Sequence, residues 1–527
     1  MKRPLPGFIA LAALLIVPFA LRPPDALSDV GAETVVVLTP HNEAIRYEMT
    51  RGFRRFMAER GRKVRIDWRS PGGTTEISRY LASEYRSAFE QHWLKRTGRP
   101  LSESGARGFT DPKQSLDGET EAALARRDFL ASSVGVRIDV LFGGGSYDFS
   151  QHAGAGRLVD AGLRASRPEL FGPGGIPQTV GGEPYWDKQG RWVGATVSGF
   201  GICYNRRALA RLGITRPPEQ WATLADPRLS GHVALADPSK AGSANKAFEM
   251  ILQQAMGEAV RSHGSPPAAS QAESAALSEG FEAGLRLIRK IAGNARYFTD
   301  QASKVTLDVQ TGAAAAGMCI DFYGRFQSEA VGDRLGFVMP RGGSSMGADP
   351  IGLLRGAPRP DLGRALIEFV LSPAGQGLWS YRRGVPGGPE RYALRRLPIL
   401  PALYAPEYAK LRSDPDNPYR SAESFTYHAA WTAPLFRALS FVIRVMCVDA
   451  ETELHEATRA LERHGWPPRA RARFEDVSLV SYTVVKDEIA PALSSGDPLR
   501  EVALQNRLVR ALKAQYESVT ELAEQGQ

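Results

Sequence analysis

The sequence predicts an α/β protein with a mainly helical C-terminal extension. Three observations carry this. Short β-branched or apolar runs at 34–38, 64–68 and 137–142 alternate with helical spacings. A second alternating set occupies 232–382, and the rhythm stops near residue 390. Strands that alternate with helices read as parallel βαβ units.

The run TVVVL at 34–38 is continuous and β-branched, as befits a strand buried on both faces. Thr39-Pro40 then supply an N-cap residue type and a proline at the first helical position. Over 42–60, Ile45, Met49, Phe53 and Phe56 recur at helical spacing. The strand at 64–68 ends in the turn Pro71-Gly72-Gly73-Thr74, which opens a helix over 76–94. Residues 95–132 are polar and read as an insertion with one charged helix; strand 137–142 and Gly143-Gly144-Gly145-Ser146 follow. A Gly/Pro-rich stretch at 171–184 precedes a long β-like segment over 192–205. The second set comprises strand 232–236, helix 244–256, loop 264–270, helix 273–292, strands 317–322, 334–340 and 350–355, and helices 361–371 and 373–382. Beyond 390 the spacings predict an amphipathic helix near 431–462, a short strand near 477–485 and a helix over 498–524. Leu435, Leu439, Val442 and Met446 form a stripe suited to helix packing.

A length of 527 residues allows roughly three domains. Hydrophobic residues make up 43% and charged residues 23%, which excludes a disordered chain and a polytopic membrane protein. The net charge of +9 (pI ≈ 9.4) is scattered, so no nucleic-acid partner is expected, while a small anionic ligand suits the sign. Three cysteines are too few for a disulfide framework or a C-x-x-C metal site, and the pairing of Cys203 with Cys319 stays open. At the N-terminus, Lys2 and Arg3 precede an apolar run over 8–21, then Arg22-Pro23-Pro24 and Ala26-Leu27-Ser28. This pattern predicts a secretory signal over 1–28, cleaved before Asp29, and a periplasmic or secreted product. The run is shorter than the ~20 residues of a bilayer span; an uncleaved anchor is the alternative.

Open α/β sheets bind ligands beyond the carboxyl ends of their strands, where helix N-termini offer free N–H groups. Four junctions carry suitable residues: Thr39-Pro40-His41-Asn42, the turn at 70–75, Gly143-Gly144-Gly145-Ser146, and Asp237 to Ser243. The competing explanation for each is plain helix capping. An enzyme reading rests on Ser243-x-x-Lys246, the spacing of a serine acyl-enzyme. Its companion motifs are absent, as are G-x-S-x-G, H-E-x-x-H and a Walker A loop, so no enzyme activity and no cofactor are expected.

Asp237-Pro238 before a Ser/Gly-rich helix start resembles the signature of type II solute-binding proteins of ABC importers. Gly199 to Arg206 (GFGICYNR) is similar to their hinge strand, Asp226 to Gly231 (DPRLSG) to their turn, and Leu371 to Gln376 (LSPAGQ) to a late helix start. The nearest branch is the ferric-iron and phosphorylated-sugar group, and the resemblance covers about 33–390. It implies a two-lobed clamp. Lobe one would hold 33–196 and 336–430, lobe two 197–335, and a helical extension 431–527, with hinges near 195–205 and 325–336. It further implies a monomer that delivers its ligand to ABC permease and ATPase subunits; a periplasmic sensor is the alternative. Iron-binding relatives use a first-junction donor and paired tyrosines. Here His41 and Tyr323 remain, but Phe322 stands where the second phenolate belongs, which disfavours iron. The expected ligand is therefore a phosphorylated sugar or other organophosphate. The donors are His41, Asn42, Thr74, Thr75, Gly145, Ser146, Ser243, Ser303, Tyr323 and Arg325, with no metal.

Overall fold

Two mixed sheets organise the chain, which a computed structural model describes over residues 31–527. The secretory signal expected at 1–28 lies outside the described residues. From the start, β1 (Glu33–Leu38), α1 (Glu43–Ala58), β2 (Val64–Arg69) and α2 (Thr74–Thr97) alternate as the sequence predicts. Then come α3 (Glu103–Gly108), α4 (Glu121–Ala131), β3 (Val140–Phe142), α5 (Ser146–Gly154) and β4 (Leu158–Val159). A small hairpin, β5 (Thr179–Val180) and β6 (Glu183–Pro184), leads to β7 (Val193–Ser198). The next unit contains β8 (Phe200–Asn205), β9 (Val233–Ala236), α6 (Gly242–Ser262), α7 (Gln271–Gly293), β10 (Ala295–Thr299), α8 (Ala302–Thr311), β11 (Ala316–Ile320), α9 (Asp321–Val331) and β12 (Leu335–Val338). The chain returns through β13 (Gly347–Leu354), α10 (Pro360–Leu371), α11 (Pro373–Ser380) and β14 (Leu397–Pro398). Its last long helices are α12 (Phe436–Ile443), α13 (Glu451–Arg463) and α14 (Pro498–Glu524).

The first sheet has the order β14-β7-β13-β3-β1-β2 with β4 beside β13; the second runs β10-β9-β11-β8-β12. Parallel pairing of β1 with β2 and β3, and of β9 with β10 and β11, leaves several helix starts at one end of each sheet. The result is a two-lobed α/β architecture. The chain passes between sheets at Gly199 and again over 339–346. The second crossing falls after the expected hinge at 325–336, because β12 pairs antiparallel with β8 and so stays in the second sheet. A third passage lies near 425–432. There Tyr427 N donates to Gly181 O at 2.7 Å, while the Tyr427 hydroxyl donates to Glu249 at 2.9 Å.

Several elements differ from the sequence reading. The strand expected near 477–485 is helical, because Val477, Val480, Val485 and Ile489 turn toward one core rather than alternating. The helix expected over 431–462 is broken into shorter pieces, with a wide turn at Arg444–Val448. Strand 317–322 stops at Ile320, and Asp321 already starts α9. The polar insertion at 95–132 is anchored: Phe109 and Phe129 are buried with Tyr85 and Phe89 of α2.

The C-terminal helices join the second lobe. Leu439, Val442, Leu454 and Tyr516 share one buried cluster with Ile251 of α6 and Phe281 of α7. Ala429–Val448 is apolar and long enough to cross a membrane, yet Leu435, Leu439, Val442 and Met446 are buried in this core. Cys203 and Cys319 are free, buried thiols on the paired strands β8 and β11, and Cys203 Sγ donates to Gly317 O at 3.4 Å.

Candidate functional site

Helix starts from both sheets meet at a cavity of about 640 Å³: those of α1, α2 and α5 on one side, and of α6, α8 and α9 on the other. Asn42 caps α1 by accepting from Ile45 N at 3.1 Å. The other five starts, at Gly73, Gly145, Ala241, Gln301 and Ile320, have no side-chain cap. Away from the cavity, α4, α7, α11 and α14 are capped by Thr120, Ser270, Ser372 and Asp497, whereas α10 and α13 start without a side-chain cap at Arg359 and Ala450. First-turn N–H groups without an intrahelical partner carry partial positive charge and suit an anion.

The lobes touch at the rim. A Cβ placed on Gly242 would lie 2.6 Å from Thr74 Oγ1, so only glycine permits this approach of α6 to α2. Thr74, Gly145, Ser146, Ser243, Ser303, Tyr323, His41 and Asn42 all line the cavity. Two expected donors do not. Thr75 follows Thr74 on α2 but is not part of the wall. Arg325 is buried with its guanidinium committed to Asp414 at 3.1 Å and Asp416 at 2.7 Å, and with Asp321 one turn away. These carboxylates neutralise it, so it is a strut between α9 and the segment after 390.

Behind the first junction lies a charged cluster that local sequence does not reveal. Arg396, 1% exposed, pairs with Asp349, donates to Ser198 Oγ at 3.0 Å and approaches His41 Nε2 at 3.2 Å. Asp349 also accepts from Gly144 N at 2.7 Å. Burial would raise the Asp349 pKa, but Arg396 and His41 outweigh it and hold the carboxyl at about 2. Burial lowers the His41 pKa despite Asp349, so the ring is neutral at pH 7. Gly143, at φ 92°, leaves room for that ring: a Cβ there would sit 2.6 Å from Nε2. Nε2 of His41 faces Arg396 and Asp349, while its buried Nδ1 has no hydrogen-bond partner. Among the described residues, no group of three or more His, Cys, Asp or Glu side chains is placed to hold a metal ion.

Carboxylates on the wall are the main surprise: Glu76, Asp148, Glu183, Asp300 and Asp349. Glu76 and Asp148 stand at the third position of α2 and α5, where acids favour helix starts; that placement is the sequence signal that would have found them. Asp300 pairs with Lys240 at 2.6 Å. Lys246 lies 2.9 Å from both Glu183 and Glu249 and 3.6 Å from the Tyr427 ring centroid. Burial works against its ammonium, yet the two carboxylates prevail and raise its pKa. A lysine that holds its proton this firmly is unsuited as the base of a Ser243 acyl-enzyme.

Burial pushes the Asp148 pKa up to about 6, against a hydrogen bond from Gly145 N–H. A raised folded value means that the native state holds this proton more tightly than the unfolded chain does. Its contribution to stability is complete below pH ~4 and is lost as pH rises through about 6. Asp148→Asn keeps the acceptor for Gly145 and is expected to stabilise the protein at pH 8 by on the order of 2–3 kcal/mol. The gain should vanish below pH ~4. Urea denaturation at the two pH values checks this.

The fold and this inter-lobe cavity define a two-lobed solute-binding architecture. Residues 174–413 match the family model of the bacterial extracellular solute-binding protein. An uncharacterised protein of Haemophilus influenzae is 28% identical over 183 residues, covering 34% of this chain and 45% of that protein. The phosphoglycerate transport regulatory protein PgtC of Salmonella typhimurium is 26% identical over 185 residues, covering 35% and 39%. The match thus spans less than half the length of these curated relatives. Similar solved structures include the periplasmic binding protein AfuA of Actinobacillus pleuropneumoniae with fructose-6-phosphate bound (TM-score 0.47, 16% identity, 74% of this chain and 94% of that one). Iron-bound HitA of Pseudomonas aeruginosa is another (TM-score 0.46, 14% identity, 78% and 99%).

Proposed function

We propose that this protein is the periplasmic solute receptor of an ABC importer and captures a small phosphorylated, hydroxyl-rich solute by lobe closure. The observation that carries this is the convergence of five helix starts without side-chain caps, from both sheets, on one cavity. The phosphate would rest on the starts of α6 and α8 with the Ser243 and Ser303 hydroxyls, where the second lobe offers Lys240. Glu76 and Asp148 on the first lobe would accept from sugar or glycerate hydroxyls, since carboxylates repel a bare polyanion but suit O–H donors. His41, Asn42, Thr74, Gly145, Ser146 and Tyr323 complete the set. The moving bodies would be the first-sheet unit, and the second-sheet unit with the C-terminal helices. Closure needs no covalent chemistry, and transport energy would come from the partner permease and ATPase.

Calorimetric titration of protein stripped by unfolding, dialysis and refolding tests this. Fructose 6-phosphate or 3-phosphoglycerate is expected to bind in a saturable, one-site manner. Binding of ferric citrate with neither phosphate ester would overturn the reading. The Salmonella relative is named as a transport regulatory protein, which favours one second reading: a sensor that presents its loaded form to a membrane receptor. Co-purification with a permease or with a receptor kinase separates the two.

A further inference from the structure

The C-terminal helices do more than buttress the second lobe. Phe436, the first residue of α12, lines the cavity, and its ring meets that of Tyr147 at 4.6 Å between centroids, tilted by 42°. Tyr147 belongs to α5 of the first lobe, next to Ser146. Neither ring is in the hydrophobic cores, although Leu435 and Leu439 beside Phe436 are buried in one. A large aromatic ring left at a cavity wall is surface kept for another occupant. Its position is fixed: Asn245, 2% exposed and two residues beyond Ser243, donates from Nδ2 to Phe436 O at 2.8 Å. Phe436 therefore rides with α6 and meets Tyr147 only across the cleft.

We propose that Phe436 and Tyr147 form an aromatic jaw that closes over the carbon-bearing face of the solute, making the C-terminal helices part of the specificity apparatus. This rests on the solute reading above and deepens it. The anion is held by helix starts, while the jaw selects for a C–H surface beside that anion. An inorganic oxyanion would gain nothing from it; a hexose phosphate would bury a face against two rings.

The test compares fructose 6-phosphate with inorganic phosphate by calorimetry on wild type, Phe436→Ala and Phe436→Trp. Phe436→Ala is expected to lose at least tenfold in affinity for the hexose phosphate and to change inorganic phosphate less than about twofold. Phe436→Trp should retain most hexose phosphate affinity. Unchanged hexose phosphate affinity in Phe436→Ala, or equal losses for both probes, would overturn the jaw. A ligand-independent arm separates this from the solute reading. Tyr147→Cys/Phe436→Cys, treated with a short bis-maleimide, is expected to form one intramolecular bridge by intact mass, since Cys203, Cys319 and Cys447 are buried. No bridge overturns the jaw. A bridge in this variant, together with wild-type protein that binds neither phosphate probe, retains the jaw's geometry and rejects the solute reading.

Discussion

Arg396→Met is expected to lower the unfolding free energy by about 3–5 kcal/mol, the usual cost of breaking a buried ion pair from one side. The guanidinium joins four elements: Ser198 on β7, Asp349 on β13, His41 before α1, and the Phe322 ring of α9, 4.2 Å from its centre. Its loss leaves the Asp349 carboxylate buried with only Gly144 N–H and a neutral imidazole. The pH dependence has a definite sign. The depressed Asp349 pKa gives stability that is present above pH ~4 and lost as pH falls toward 2. The gap between variant and wild type should thus be widest at neutral pH and narrow in acid. Arg396→Met/Asp349→Asn removes the stranded charge and should recover part of the loss. Urea titrations at pH 7 and pH 3 read both effects.

Lys246→Met should be comparably damaging, at about 3–5 kcal/mol, because one ammonium serves two buried carboxylates. Glu249 has no exposed surface and also accepts from Thr432 Oγ1 at 2.5 Å and from Tyr427, so it cannot turn to water. Glu183 accepts from Ser345 Oγ at 2.7 Å. Since Glu183 sits on the first-lobe hairpin and Lys246 on α6, the variant also loses a tie across the cleft. Lys246→Met/Glu249→Gln should be more stable than Lys246→Met alone. Thermal unfolding of the two variants decides it.

The alternating strands were legible because continuous apolar runs such as TVVVL leave a buried strand as the simple outcome. Helix starts were legible through Pro, Gly, Ser and Thr at the right offsets. The strand at Ala295–Thr299 and helix at Ala302–Thr311 went unread: the strand follows α7 after a single residue, and Gln301 is no cap signal. At 477–485 the local β-branched preference lost to packing, since Val477, Val480 and Val485 bury against helices far away in sequence. At the site, small polar residues were foreseeable from their junctions, as was His41. Arg325 and Arg396 looked alike as sequence; carboxylates at 414 and 416 claim the first, and Asp349 and Ser198 place the second behind the cleft. Such long-range pairings leave no local mark. Phe436 was hidden for the same reason, inside a stripe that otherwise packs the core.

Backbone amide NMR during titration with fructose 6-phosphate tests the central claim most directly. The account predicts the largest N–H shifts at Thr74, Ser146, Gly242, Ser243 and Ser303, on both lobes and at one midpoint. Shifts confined to one lobe, or absent from these helix starts while the solute binds, would contradict it.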